Sequence, residues 1–168
     1  MSAATSRTPF PPPEKADGHR LVKAVERANQ AFAEKNIRFT KLRQMVFEEI
    51  AATYASIGAY DILARMADKG TRVAPISIYR AIDALLEVGV IHRLESKSAF
   101  FACRRLDHGK GRRPLFLSCE KCGAVGEVEG QHIFDLIGEA AKGAKFTPRV
   151  KFVEVQGLCP RCTAAEKA

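Results

Sequence analysis

A chain of 168 residues with 46% apolar content and a formal charge of +8 folds and can bury a core, either as one domain or as two small ones. Its basic balance suits a polyanionic partner. No stretch approaches the roughly 18 to 20 apolar residues of a membrane span, and residues 1 to 13 lack the apolar run of a secretory signal, so a cytoplasmic protein with no membrane partner is expected.

In chain order, residues 1 to 19 hold four of the eight prolines and show no apolar periodicity, which predicts a disordered arm without a functional part. Leu21, Val25, Ala28 and Phe32 then recur at helical steps, predicting a helix that ends near Asn36. Thr40 reads as the N-cap of a second helix whose inner face carries Leu42, Met45, Val46 and Ile50. A break at Ser56-Ile57-Gly58 precedes a third helix from about Tyr60 to Lys69. Pro75 opens a fourth helix that Gly89 stops after Val88.

Val90 to Glu95 and Ala99 to Cys103 alternate as strands around a polar turn near Lys97 and predict a hairpin. Helices followed by a hairpin give the order of a winged helix, here over residues 20–106. The glycine-rich basic stretch of residues 107–114 has no apolar face and reads as a hinge. Beyond it, Leu115 to Leu117, Ala124 to Val128 and Val150 to Val155 read as strands and Ile133 to Ala144 as a helix. The fold class expected is therefore α+β: an N-terminal winged-helix DNA-binding domain and, over residues 115–168, a small C-terminal α/β domain.

Cys119 and Cys122 are answered by Cys159 and Cys162, each pair two residues apart. Such turns aim two sulfurs at one point, and two facing turns supply the tetrahedral thiolate set of structural zinc. A rubredoxin-like iron site would use the same four thiolates, whereas a redox pair of the thioredoxin kind needs only one. In a domain of about 50 residues the metal would supply much of the folding free energy. Five cysteines in a reducing compartment, an odd number, argue against a disulfide framework.

Cys103 is the cysteine left over. If the hairpin turns between Lys97 and Ser98, His92 lies directly opposite it, near enough for one metal ion to bridge imidazole and thiolate. His108 in the hinge and Glu127 beyond the first cysteine pair would complete a set of one sulfur, two nitrogens and one oxygen, which favours zinc over manganese or magnesium and leaves ferrous iron a weaker competitor. Taken one at a time, these residues read as well as an inert buried cysteine, a surface histidine and a solvated glutamate.

In the helix from Pro75, Ile78, Ile82 and Leu85 point inward and Arg80 outward, with Ser77 and Tyr79 beside it near the N-terminal end. There a helix-turn-helix places its base-reading residues, an arginine for guanine and an aromatic ring for a thymine methyl. Arg38, Lys41 and Arg43 stand ready for phosphates. The plain alternative is a packing helix with a solvated outer face.

Ala59-Tyr60-Asp61, Ser77-Ile78-Tyr79-Arg80-Ala81, Gly89 to Glu95, Phe116 to Gly123 and Gly157 to Cys162 together resemble the ferric uptake regulator superfamily, and within it the branch of zinc uptake regulators. The resemblance implies a homodimer, assembled through the C-terminal domain, that binds double-stranded operator DNA as a repressor when its sensing metal is present. It makes Tyr60, Tyr79 and Arg80 DNA contacts, the four paired cysteines a structural zinc site, and His92, Cys103, His108 and Glu127 the sensing site. The histidine cluster that iron and peroxide sensors carry before the first cysteine pair is missing, and Ser77-Ile78 stands where the superfamily more often has Thr-Val.

The expectation is a zinc-responsive repressor of zinc-uptake genes with two zinc ions per protomer and no small-molecule substrate. An iron- or manganese-responsive regulator of the same superfamily is the near alternative. A zinc-ribbon RNA-binding protein would leave His92 and Cys103 idle, and no nucleophile with an oriented base suggests an enzyme.

Overall fold

The apolar stripe of the first helical segment, α1 (Gly18–Glu34), buries Ala28 and Phe32 completely. In the computed structural model, residues 9–10, 18–104, 114–149 and 152–166 are described. The chain divides into one unit, Pro12–Leu106, and another made of Met1–Pro11 with Asp107–Ala168. Residues 18 and 19, expected in the arm, belong to α1, because the helix extends one turn before its first inward side chain.

Thr40 caps α2 (Lys41–Ala51), its Oγ1 accepting the Arg43 backbone N–H at 3.4 Å. Val46 and Ile50 are fully buried there, with Leu42 and Met45 packed beside them. The expected break after α2 is instead a two-residue strand, β1 (Ile57–Gly58), paired with Phe100 and Ala99. Two residues are too few to show a period of two. The helix α3 (Ala59–Asp68) buries Ile62 and Met66, and α4 (Pro75–Val88) buries Ile78, Ile82 and Leu85. Gly89 ends α4 with φ 85°, a left-handed conformation that lets its N–H reach the Leu85 and Leu86 carbonyls.

The wing is β2 (Ile91–Leu94) and β3 (Ala99–Ala102), with β3 central in the order β1-β3-β2. Here the expected register is corrected. A 3-10 turn at Glu95–Lys97 and Ser98 at φ 46° form the reversal, so His92 pairs with Phe101 rather than with Cys103. The shift is two residues, which keeps every side chain on its face. Cys103 follows β3, its N–H donating to the Val90 carbonyl at 2.9 Å.

In the other unit β4 (Pro114–Cys119) runs antiparallel to β5 (Val125–Glu129), and α5 (Gln131–Gly143) follows. The strand β6 (Glu154–Gly157) returns parallel to β4 on its free side, giving the order β5-β4-β6. It lies later than the expected Val150 to Val155, because its partners run from Phe116 to Cys119 and pairing rather than apolar content sets its extent. A helix absent from the expectation, α6 (Pro160–Glu166), closes the unit, with proline at its first position. The hinge residues 107–113 lie outside the described residues, and Pro114 begins β4.

Candidate metal centres and nucleic-acid interface

The parallel ladder of β4 and β6 sets Cys119 opposite Gly157, and Cys159 follows two residues later. Gly123, at φ 72°, turns the chain so that its N–H bonds the Cys119 carbonyl at 3.0 Å, folding Cys122 back over Cys119. Cys162 sits in the first turn of α6 and is buried there. All four sulfurs lie within 4.8 Å of one another, and Cys122 Sγ is 3.7 Å from Cys159 Sγ. Four sulfurs at the zinc–thiolate distance of about 2.3 Å in a tetrahedron are about 3.8 Å apart, so the donor set fits zinc. The spacing is far longer than a disulfide.

Burial pushes the Cys119 thiol up, but backbone N–H groups of Cys122, Cys159 and Lys121 overcome it and bring it down to about 6. Burial, with the neighbouring cysteines adding to it, pushes Cys162 up to about 12. Four thiolates so close together need a cation among them. Arg161 answers part of that charge from outside: hydrogen bonding to Cys122 raises its already high basicity. The unit leans on this cluster, because among the described residues its buried apolar side chains are Phe116, Ala124, Val125, Phe134 and the cysteines 119, 159 and 162.

In the wing the ligand atoms of His92 and Cys103 lie within 4.8 Å of each other despite the altered register. The imidazole leans on the Phe101 ring at 5.5 Å between centroids. Glu127 is buried on β5 in the other unit, opposite Phe116. His108 lies outside the described residues.

The outer face of α4 presents Tyr79 and Arg80 to solvent, with Ser77 half-buried at their side. Tyr60 stands at the start of α3, 72% exposed. One neighbour on this surface was overlooked: Ile76, 58% exposed, precedes Tyr79 and Arg80 by three and four residues and so shares their face. That spacing was readable in the sequence. Arg43 is tied inward, its guanidinium 5.8 Å from the centre of the Phe32 ring and bonded to the Arg38 carbonyl. Lys41 and Arg38 remain exposed.

Comparison with known proteins follows the same lines. The model of the ferric uptake regulator family matches residues 34–156. The zinc uptake regulation protein of Escherichia coli (strain K12) is 31% identical over 142 residues, covering 84% of this chain and 82% of that protein. A zinc uptake regulator complexed with zinc and DNA superposes with a TM-score of 0.80 at 28% identity, over 88% of this chain and 98% of the other. Holo XcZur does so with a TM-score of 0.74 at 32% identity, over 84% of this chain and 98% of its own.

Proposed function

The chain belongs to the ferric uptake regulator family, and from that premise we propose that it is a zinc-responsive repressor that binds double-stranded operator DNA as a homodimer and controls zinc-uptake genes in the cytoplasm. The observation that carries the reading is the closeness of the His92 and Cys103 ligand atoms, within 4.8 Å, inside the very unit that presents Tyr60, Tyr79 and Arg80 to solvent. A soft thiolate and an imidazole in a DNA-reading unit put a zinc-sized demand where DNA affinity is set.

Two ions per protomer are proposed, one held by Cys119, Cys122, Cys159 and Cys162, the other by His92 and Cys103 with His108 and Glu127. Bound at the first, zinc would crosslink the two cysteine turns; bound at the second, it would favour the DNA-competent arrangement. Tyr60, Ser77, Tyr79 and Arg80 read or flank the bases, and Arg43 contributes to phosphate contact. A swing from 1:99 to 99:1 needs about 5.5 kcal/mol of differential affinity. Dimerisation through the C-terminal unit is supported by the apolar side chains it leaves exposed, Leu136, Ile137, Phe146, Phe152 and Val155. The family consists of transcription regulators, and no catalytic role is assigned to this chain.

The test is operator binding at buffered free zinc, iron(II) and manganese(II), with metal content measured in parallel. Zinc is expected to raise operator affinity at the lowest free concentration. Activation by iron or manganese in preference to zinc would overturn the zinc reading.

A further inference from the structure

Residues 1–19 were expected to take no part in any core, yet Phe10 is half-buried and packs against the cluster of Cys119, Ala124, Cys159 and Cys162. The same segment lies on β5. A Cβ built on Gly126 would meet Phe10 Cζ, the Pro9 carbonyl carbon and Pro9 Cβ, each at 3.4 Å. Glycine inside a strand weakens it unless something must come close. Here what comes close is the beginning of the chain itself.

We propose that Pro9 and Phe10 form a strap that seals the four-cysteine centre and slows its loss of zinc. The inference rests on reading that centre as a zinc site. Zinc leaves a thiolate cage when water, a proton or a competing ligand reaches a sulfur or the metal, and an aromatic ring packed on the cage removes one approach. Cys122 is the least buried of the four cysteines, so the cage lies near the surface, where Phe10 packs on the cluster. Proline at position 9, with three more at positions 11 to 13, restricts the free chain, so that docking the segment costs less entropy than docking a flexible one.

Position 126 discriminates strap from sheet. In Gly126→Ala the added methyl sits at ordinary contact distance and the strap stays. In Gly126→Val the branches enter the space of Pro9 and Phe10, although valine favours a strand more than glycine does. A residue that suits the sheet should thus loosen the metal.

The experiment follows transfer of zinc from full-length reduced protein to excess chromogenic chelator, and alkylation of its thiols, for wild type, Phe10→Ala, Gly126→Ala and Gly126→Val. Thermal melts at saturating zinc and zinc content are measured beside them. Phe10→Ala and Gly126→Val should release the cysteine-bound zinc on the order of tenfold faster, equivalent to about 1.4 kcal/mol, with Gly126→Ala close to wild type. Deleting residues 1–11 should reproduce Phe10→Ala even if Gly126→Val folds poorly. Equal release and alkylation rates in wild type, Phe10→Ala and the deletion, at full zinc content, would overturn the strap alone. Purified protein with no cysteine-bound zinc would overturn the metal reading beneath it.

Discussion

His92 faces Phe101 across the wing, their ring centroids 5.5 Å apart and their planes inclined at 40°. Phe101 is itself 5% exposed, so the imidazole rests on a fixed aromatic wall rather than on solvent. As the proposed zinc ligand, His92 held this way would lose little freedom on binding, which would favour affinity. Phe101→Leu should keep the fold at a cost of about 1 kcal/mol, yet require more free zinc for the same operator occupancy. Isothermal denaturation and a zinc-buffered operator titration would separate the two effects. Unchanged zinc demand would mean that the ring only fills the core.

Arg80 and Arg43 should behave differently when removed. Arg80 is exposed on the outer face of α4, and Arg80→Ala should cost about 1 to 3 kcal/mol of specific binding with little change in stability. Arg43 lies over Phe32 and bonds the Arg38 carbonyl. Arg43→Ala should therefore lower thermal stability by about 0.5 to 1 kcal/mol, as well as weaken binding to all sequences and flatten its salt dependence. Melting curves and binding to operator and random DNA at several salt concentrations check both. An Arg43 variant that melts like wild type would remove its packing role.

Cys119→Ser should be a folding lesion of the C-terminal unit, because three thiolates hold structural zinc poorly and the cluster makes up much of that unit's core. Protons report on the same site. With Cys162 pushed up to about 12 and Cys119 brought down to about 6, metal-free protein at pH 7 to 9 carries the first as thiol and the second as thiolate. Zinc uptake must then expel the Cys162 proton throughout this range, so affinity should rise with pH between 7 and 9. Cys119 adds to that slope only below about pH 6. Calorimetry in buffers of different ionisation enthalpy would measure the release, and uptake without proton release would contradict it.

Helices were legible here because their apolar steps are local and repeat: α4 runs from Pro75 to Val88 as its proline and glycine bounds foretell. The cysteine pairs were legible because their chemistry restricts spacing more than any fold does. What escaped depends on distant partners or on very short elements. The strand β1 is two residues long and exists only by pairing with β3. The wing register hinged on whether the turn was centred between Lys97 and Ser98 or one residue earlier, between Ser96 and Lys97, which composition near Ser96 to Ser98 does not decide. The packing of Arg43 on Phe32 escaped because that ring is eleven positions away, on another helix. Phe10 had no periodic neighbours, and its partners lie more than a hundred residues further on.

Cys103 gives the sharpest test of sensing as opposed to mere zinc stabilisation. It is buried just after β3, anchored by its N–H to the Val90 carbonyl, with its sulfur within 4.8 Å of a His92 ring nitrogen. Serine is nearly isosteric, so Cys103→Ser should leave the wing folded and the four-cysteine zinc in place. It replaces the one soft ligand of the proposed regulatory set with an oxygen that holds zinc much less firmly. After mild chelation that spares the four-cysteine centre, wild type should regain operator affinity when free zinc is restored to low levels, and the variant should not. At saturating free zinc the variant's residual response would report what His92, His108 and Glu127 hold without the thiolate. The measurement is operator affinity against buffered free zinc for both proteins, with zinc content and dimer mass determined at each point. Equal activation of the two would make Cys103 a core residue and require the sensing ligands to be sought elsewhere.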